Sequence, residues 1–162
     1  VQPNPTLPYP DADLREHPPR SPHEQLAGLY FLPRTIDKAR AKIQGTLGLY
    51  KITPGISGYM FEALGITEDA FVEAVRAAAS DNAVEDWLEH NADMSKVPEL
   101  NEMLINRRLR DEEHRASFLA AYPILTERPE LWNWFEIFEL DDRWIFDPAN
   151  RGKPGSALGA AT

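Results

Sequence analysis

Leu32-Pro33-Arg34-Thr35-Ile36-Asp37-Lys38-Ala39-Arg40-Ala41 reads as a helix, and that reading decides the class of the fold. Proline is tolerated in the first turn of a helix, where its missing N–H has no intrahelical acceptor, so Pro33 marks a start. Downstream, Ile36, Ala39, Ile43 and Leu47 recur at helical spacing, and Gly45 and Gly48 mark the end. The other face carries Arg34, Asp37, Lys38 and Arg40. Charges set this densely against an apolar face call for a counterpart, either an anionic ligand or carboxylates from neighbouring helices.

Outward from this segment the pattern stays helical. Ser21-Pro22-His23-Glu24 has the spacing of a capping box with proline at the first helical position, which predicts a short helix to about Phe31. Pro54 and Gly55 make residues 49–57 a loop. A helix from Gly58 to Leu64 stops at Gly65, Thr67 caps a second with Phe71, Val72 and Val75 inward, and Asp81 caps a third with Val84, Trp87 and Leu88 inward. Further helices are predicted at Pro98–Arg108, at Glu112–Tyr122 behind an Asp111 cap, and at Glu130–Leu140, where Leu131, Trp134, Phe135 and Phe138 share one face. Trp144-Ile145-Phe146 reads as an extended strap, and no alternation long enough for a sheet is present.

The expectation is a mainly α protein, a compact single-domain helical bundle of about six to seven short helices. Six of the fourteen prolines lie in residues 1–20, which are expected to form an extended arm. Residues 21–148 make the helical domain, and the Gly, Ala, Pro and Ser of residues 149–162 predict a disordered tail.

Composition narrows the function. At 162 residues with 43% hydrophobic content there is material for one packed core. No apolar run approaches the ~20 residues that span a bilayer, so no membrane partner is expected. A formal charge of −9 argues against nucleic acid, which is bound by neutralising phosphates. That charge is local: between Glu62 and Glu102 eleven acidic residues face only Arg76 and Lys96, so the rest of the chain sums to zero. The basic residues gather in two other places, Arg34 to Lys42 and Arg107 to Arg115, where an anionic ligand would go. The absence of cysteine removes disulfides and thiolate chemistry and is compatible with a cytoplasmic location.

On the 32–41 helix, Arg34, Asp37 and Lys38 stand at i, i+3 and i+4 and share a face. Asp37 can pair with Arg34 and orient it, Arg34 and Arg40 can grip an anion, and a partly buried Lys38 with lowered pKa can act as a base or Schiff-base nucleophile. Tyr50 is a second candidate for proton transfer, and Tyr30 for an orienting hydroxyl at the ligand. The alternative is a structural ion network tying this helix to carboxylates such as Asp141 or Asp142, in a non-catalytic helical module that forms homo-oligomers. No phosphate loop or cofactor motif is present, so no cofactor is expected. Asp111 and His114 make half of a dinuclear carboxylate motif, but Asp86 and His90 have the wrong spacing for its second half, and no metal is expected.

Three segments carry a family resemblance: Pro22 to Ala41 with its LPRTIDKARA core, Gly45-Thr46-Leu47-Gly48 followed by Tyr50 and Leu64-Gly65-Ile66, and Trp134-Phe135-Glu136-Ile137-Phe138-Glu139-Leu140-Asp141. Together they resemble a bacterial family catalogued as a domain of unknown function. The resemblance implies a small, soluble, largely helical protein in which Arg34, Asp37, Lys38 and Arg40 are characteristic of the group. Members of that family often have a cysteine and a Leu-Asp pair after the tyrosine segment. This chain has Thr53-Pro54-Gly55-Ile56 there, so chemistry resting on a thiol at that loop is absent.

Overall fold

The axis of the molecule is α1, Leu32–Gln44, in a computed structural model that describes residues 2–159. Pro33 lies in its first turn, and Gly45 ends it at φ +76°, a left-handed conformation that lets Thr46 N–H bond back to Ala41 O at 2.8 Å. Both faces of this helix are covered. Every residue from Phe31 to Ala39 is buried, with Arg34 only 2%, Asp37 7% and Lys38 8% exposed.

Around it lie α2 (Ile56–Leu64), α3 (Glu68–Ala77), α4 (Asp81–Asn91), α5 (Val97–Asn106), α6 (Glu112–Ala116), α7 (Ile124–Glu127) and α8 (Trp134–Ile145). The protein is thus a mainly α bundle, with eight α-helices among the described residues. Helix α1 packs on α3, and α7 on α8. Two apolar clusters result. One gathers Phe31, Ile36, Phe61, Phe71, Leu104 and Phe135, the other Leu109, Leu125, Leu131, Trp134, Ile137 and Trp144, and Phe138 touches both. Among the described residues no helix is long and apolar enough to cross a membrane.

Local signals and tertiary partners disagree in several places. The helix predicted from Ser21 to Phe31 does not form. Instead β1 (Gln25–Leu26) and β2 (Leu29–Tyr30) pair antiparallel, Gln25 opposite Tyr30 and Leu26 opposite Leu29. Ala27 and Gly28, at φ +53° and +71°, make the two-residue turn that suits a hairpin. The Ser21 hydroxyl donates to Glu139 and accepts from His23 N–H rather than capping a helix. From α5, Asn101 donates to Gly28 O at 2.6 Å and accepts Tyr30 N–H at 2.9 Å, so the hairpin is held by a residue far away in sequence.

Ser80, not Asp81, caps α4 through Ala83 N–H, which frees Asp81 for ion pairs. Helix α6 stops at Ala116, six residues before its predicted end, and Ser117 turns its hydroxyl back on His114 O at 2.6 Å. Helix α8 is shifted towards the carboxyl end: Asn133 caps it by accepting from Phe135 and Glu136 N–H, and Trp144 and Ile145 are its last turn rather than a strap.

The ends also differ from expectation. Residues 10–12 form a 3-10 turn, Ala12 and Leu14 are buried, and the Gln44 side chain bonds to the backbone of Tyr9 and Ala12, so the proline-rich arm lies against α1. At the other end Ala157 N–H bonds to Ile145 O at 2.8 Å and Gly152 N–H to Leu158 O at 2.9 Å, which folds the tail as far as Gly159 back on α8. The last part of the predicted tail, 160–162, lies outside the described residues.

A single buried cation organises the stretch between α6 and α8. The Arg115 guanidinium donates to Leu131 O, to Leu125 O at 2.7 Å and to Arg128 O at 3.1 Å, and lies 5.3 Å from the Trp132 ring. Carbonyls buried without a donor are costly, so Arg115→Met should destabilise the fold by about 3–5 kcal/mol in chemical denaturation. A loss below about 1 kcal/mol would mean that the loop carries itself.

Candidate functional site

The charged face of α1 meets α8. Arg34 donates from Nη1 to Asp142 Oδ2 at 2.6 Å and from Nη2 to Asp142 Oδ1 at 3.0 Å, and Tyr50 O–H donates to the same Oδ1 at 2.7 Å. Arg34 Nη1 also reaches Arg20 O at 3.1 Å. The guanidinium carbon stands between three rings, 5.7 Å from Phe31, 5.5 Å from Tyr50 and 5.7 Å from Phe138. Burial works against the Arg34 charge, but the attraction and hydrogen bonds of Asp142 leave its pKa above the ordinary value.

One turn on, Lys38 has no such partner. Its Nζ makes no ion pair or hydrogen bond among the described residues and lies 5.3 Å from the Phe31 ring centre. Burial, and then the positive charge of Arg34, push the Lys38 amine down to about 7, with Asp142 opposing. On α8, Asp141 has no cation partner among the described residues, and the hydrogen bond it accepts there is from Ile124 N–H at a long 3.4 Å. Burial, helped by the like charge of Asp142, raises the Asp141 carboxyl to about 7.

These two groups line one cavity of about 420 Å³. Its walls are α1, the loop from Leu49 to Ile56, residues 118–122 and α8, with Gly155 of the folded-back tail at the edge. Tyr122 also lines it, and burial followed by Asp141 raises its hydroxyl to about 12. Tyr50 is raised further by burial and by Asp142, so its phenol stays protonated as a donor. The cavity thus presents an amine and a carboxyl that both titrate close to neutrality, in apolar and aromatic walls.

Residues 16–144 match the family described as Domain of unknown function (DUF5069). The chain belongs to that family. The DUF5069 span takes in Arg34, Lys38, Tyr50, Tyr122, Asp141 and Asp142, so the whole charged heart of the cavity lies inside it. No match is found among curated proteins.

Of the six residues singled out in the sequence, Arg34, Lys38 and Tyr50 come together at the cavity. Asp37, Arg40 and Tyr30 are not part of its lining. The intrahelical pair of Asp37 with Arg34 is not formed. Asp37 instead accepts from Arg20, from its backbone N–H at 2.9 Å and its Nη2 at 2.9 Å. Arg20 continues to Asp81 at 2.5 Å, and Arg40 approaches the other oxygen of Asp81 at 2.8 Å as an ion pair without hydrogen-bond alignment. This second network ties α1 to α4 and the amino-terminal segment. Tyr30 packs edge-on against Phe135, with ring centres 6.1 Å apart.

Asp141 enters the sequence reading only as an alternative ion-pair partner of α1, and Tyr122 only as the predicted end of a helix, so neither is among the expected site residues. Of the two carboxylates that the sequence offers to α1, Asp142 takes the Arg34 pair and Asp141 is left to the cavity. No cluster of three or more His, Asp or Glu side chains among the described residues is placed to hold a metal ion.

The two perturbed groups give opposite pH trends. Between about 7 and 10.5 the unfolded chain holds a proton at Lys38 that the folded protein has released, so stability relative to Lys38→Met rises with pH across that window. Between 3.8 and about 7 the folded protein keeps a proton on Asp141 that the unfolded chain has lost, so stability relative to Asp141→Asn falls across that window. Melting curves of the three proteins from pH 4 to pH 10 should show the two trends meeting near neutrality. Parallel curves would remove the perturbed ionisations.

Proposed function

We propose that the cavity between α1 and α8 binds a small anionic molecule and carries out cofactor-free acid–base chemistry on it, with Lys38 as the base. The observation that carries this reading is a buried amine that has no counter-ion among the described residues and opens into a cavity of about 420 Å³. A structural lysine is ordinarily paired or has its head in water. An amine with a pKa near 7 is free to accept a proton at neutral pH, and a carboxyl with a similar pKa in the same cavity can return one. In this reading Lys38 Nζ takes a proton from the ligand and Asp141 delivers one to it. Tyr122 and Tyr50 supply hydroxyl donors, and Arg34 and Asp142 hold the frame. Tyr50 is less suited to proton transfer than Lys38, since its hydrogen is committed to Asp142.

A bacterial, cytoplasmic setting belongs to this proposal and rests on the sequence resemblance and the cysteine-free composition. The second reading, a homo-oligomeric helical module without catalysis, is favoured by the buried Arg34–Asp142 pair it expects and by the exposure of Leu49, Tyr59 and Leu119 at 60%, 42% and 39%.

The test is thermal unfolding of the wild type and Lys38→Met against a panel of small carboxylates, phosphates and keto acids, with solution mass measured alongside. A ligand at about a hundred times its dissociation constant adds ~2.7 kcal/mol, or roughly 5–10 °C at this size. A saturable shift in the wild type that is lost in Lys38→Met supports the site. A wild type that nothing in the panel shifts, together with a stable oligomer, supports the second reading instead.

A further inference from the structure

Arg34 was the expected anion grip, yet its charge is already matched by Asp142, two hydrogen bonds deep in the protein. Three other arginines are unspent. Arg107, Arg108 and Arg110 make no ion pair among the described residues, and they bound a pocket of about 410 Å³ together with Tyr59, His114 and Trp134. No acidic side chain lines it, in a chain whose formal charge is −9. The nearest carboxylate in sequence, Asp111, accepts His114 N–H at 2.8 Å as the cap of α6.

The pocket is held in shape by contacts that leave its donors free. The Arg107 guanidinium is stacked on the Tyr59 ring at 3.9 Å, an arrangement that leaves its in-plane N–H groups available, and its protein acceptor is the weak sulfur of Met103 at 3.6 Å. The backbone of 107–110 is extended and pinned to the start of α8: Trp134 N–H bonds to Arg107 O at 3.0 Å and Leu109 N–H to Trp132 O at 2.9 Å. Leu109 is buried, so alternation along an extended chain sends Arg108 and Arg110 together to the other side. His114 Nδ1 accepts Arg110 N–H at 3.1 Å, which assigns the imidazole proton to Nε2 as a further donor.

This pocket is linked to the Lys38 cavity by a third depression that shares walls with both. The pocket shares Tyr59, Arg107, His114 and Trp134 with this aromatic depression of about 270 Å³, and the depression shares Phe118, Tyr122, Phe138 and the 54–56 loop with the cavity. We infer that the arginine pocket binds a phosphate group, as the anionic end of an organic phosphomonoester whose carbon body lies along the aromatic depression towards Lys38. A carboxylate is satisfied by one guanidinium fork, whereas a dianionic phosphate with three free oxygens uses several donors. The inference rests on the reading above for where the carbon body ends. The phosphate pocket itself stands on its own arginines.

Calorimetric titration at low ionic strength tests it, with inorganic phosphate and phenyl phosphate as probes and benzoate as a control, on wild type, Arg108→Gln/Arg110→Gln, Arg107→Gln and Lys38→Met. The exposed pair Arg108 and Arg110 can be replaced without touching the core. Phenyl phosphate should bind more tightly than inorganic phosphate, both should outcompete benzoate, and each arginine variant should weaken both phosphates by about ten-fold or more. Lys38→Met should leave inorganic phosphate binding within about two-fold of wild type. Phosphate binding kept by the arginine variants and lost in Lys38→Met would move the anion into the Lys38 cavity, overturning the inference while sparing the proposed site. Absence of phosphate binding to the wild type would also overturn it. Phosphate bound at the arginines with no response of Lys38 to any ligand would leave the pocket standing and remove the proposed chemistry.

Discussion

Burying residues 32–39 of α1 on every side is the constraint from which the rest of the structure follows. A central helix with Arg34, Asp37, Lys38 and Arg40 along it must have its charges answered by the helices that cover it, because an unpaired buried charge is costly by several kcal/mol. Arg34 is answered by Asp142 of α8, which fixes how α8 lies and turns Trp134, Phe135 and Phe138 inward. Asp37 is answered by Arg20, and the Arg20–Asp81–Arg40 chain brings the amino-terminal segment and α4 against the other flank. The bundle is therefore organised by ion pairs of high sequence separation as much as by its apolar clusters.

Against that background Lys38 is the exception. The same helix that finds a partner for each of its other four charged residues leaves this amine facing a cavity also lined by a carboxyl of α8 that has no cation partner among the described residues. Burial lowers the Lys38 amine and raises the Asp141 carboxyl, so that both stand at about 7, the range suited to acid and base work at neutral pH. Stability alone does not favour such a pair, since an apolar pair of similar volume would fill the space without desolvating polar groups. This local conflict with stability is what supports the proposal of a ligand site in the cavity.

Much of the fold was legible in the chain because its helices carry their own punctuation. Pro33 and Gly45 bound α1, Gly65 ends α2, Thr67 caps α3 and Asp111 caps α6, as their local chemistry requires. Where a distant residue competes, the local signal loses. Ser21 has the spacing of a cap but is drawn to Glu139, and Asn101 holds a hairpin where a helix was expected. The site was half legible for the same reason: i, i+4 spacing placed Arg34 and Lys38 on one face, but nothing within α1 shows that Arg20 outcompetes Arg34 for Asp37. Asp141 and Tyr122 come from elements 84 or more residues away, and only the tertiary structure puts them in the same cavity.

The most direct test of this arrangement is the ionisation of Lys38 itself, read by side-chain amine NMR of the protein carrying labelled lysine, with Lys38→Met to assign the resonance. One amine titrating near pH 7 and missing in the variant is the predicted result. A Lys38 resonance titrating above pH 10 would contradict it and make the cavity a packing defect beside a structural ion network.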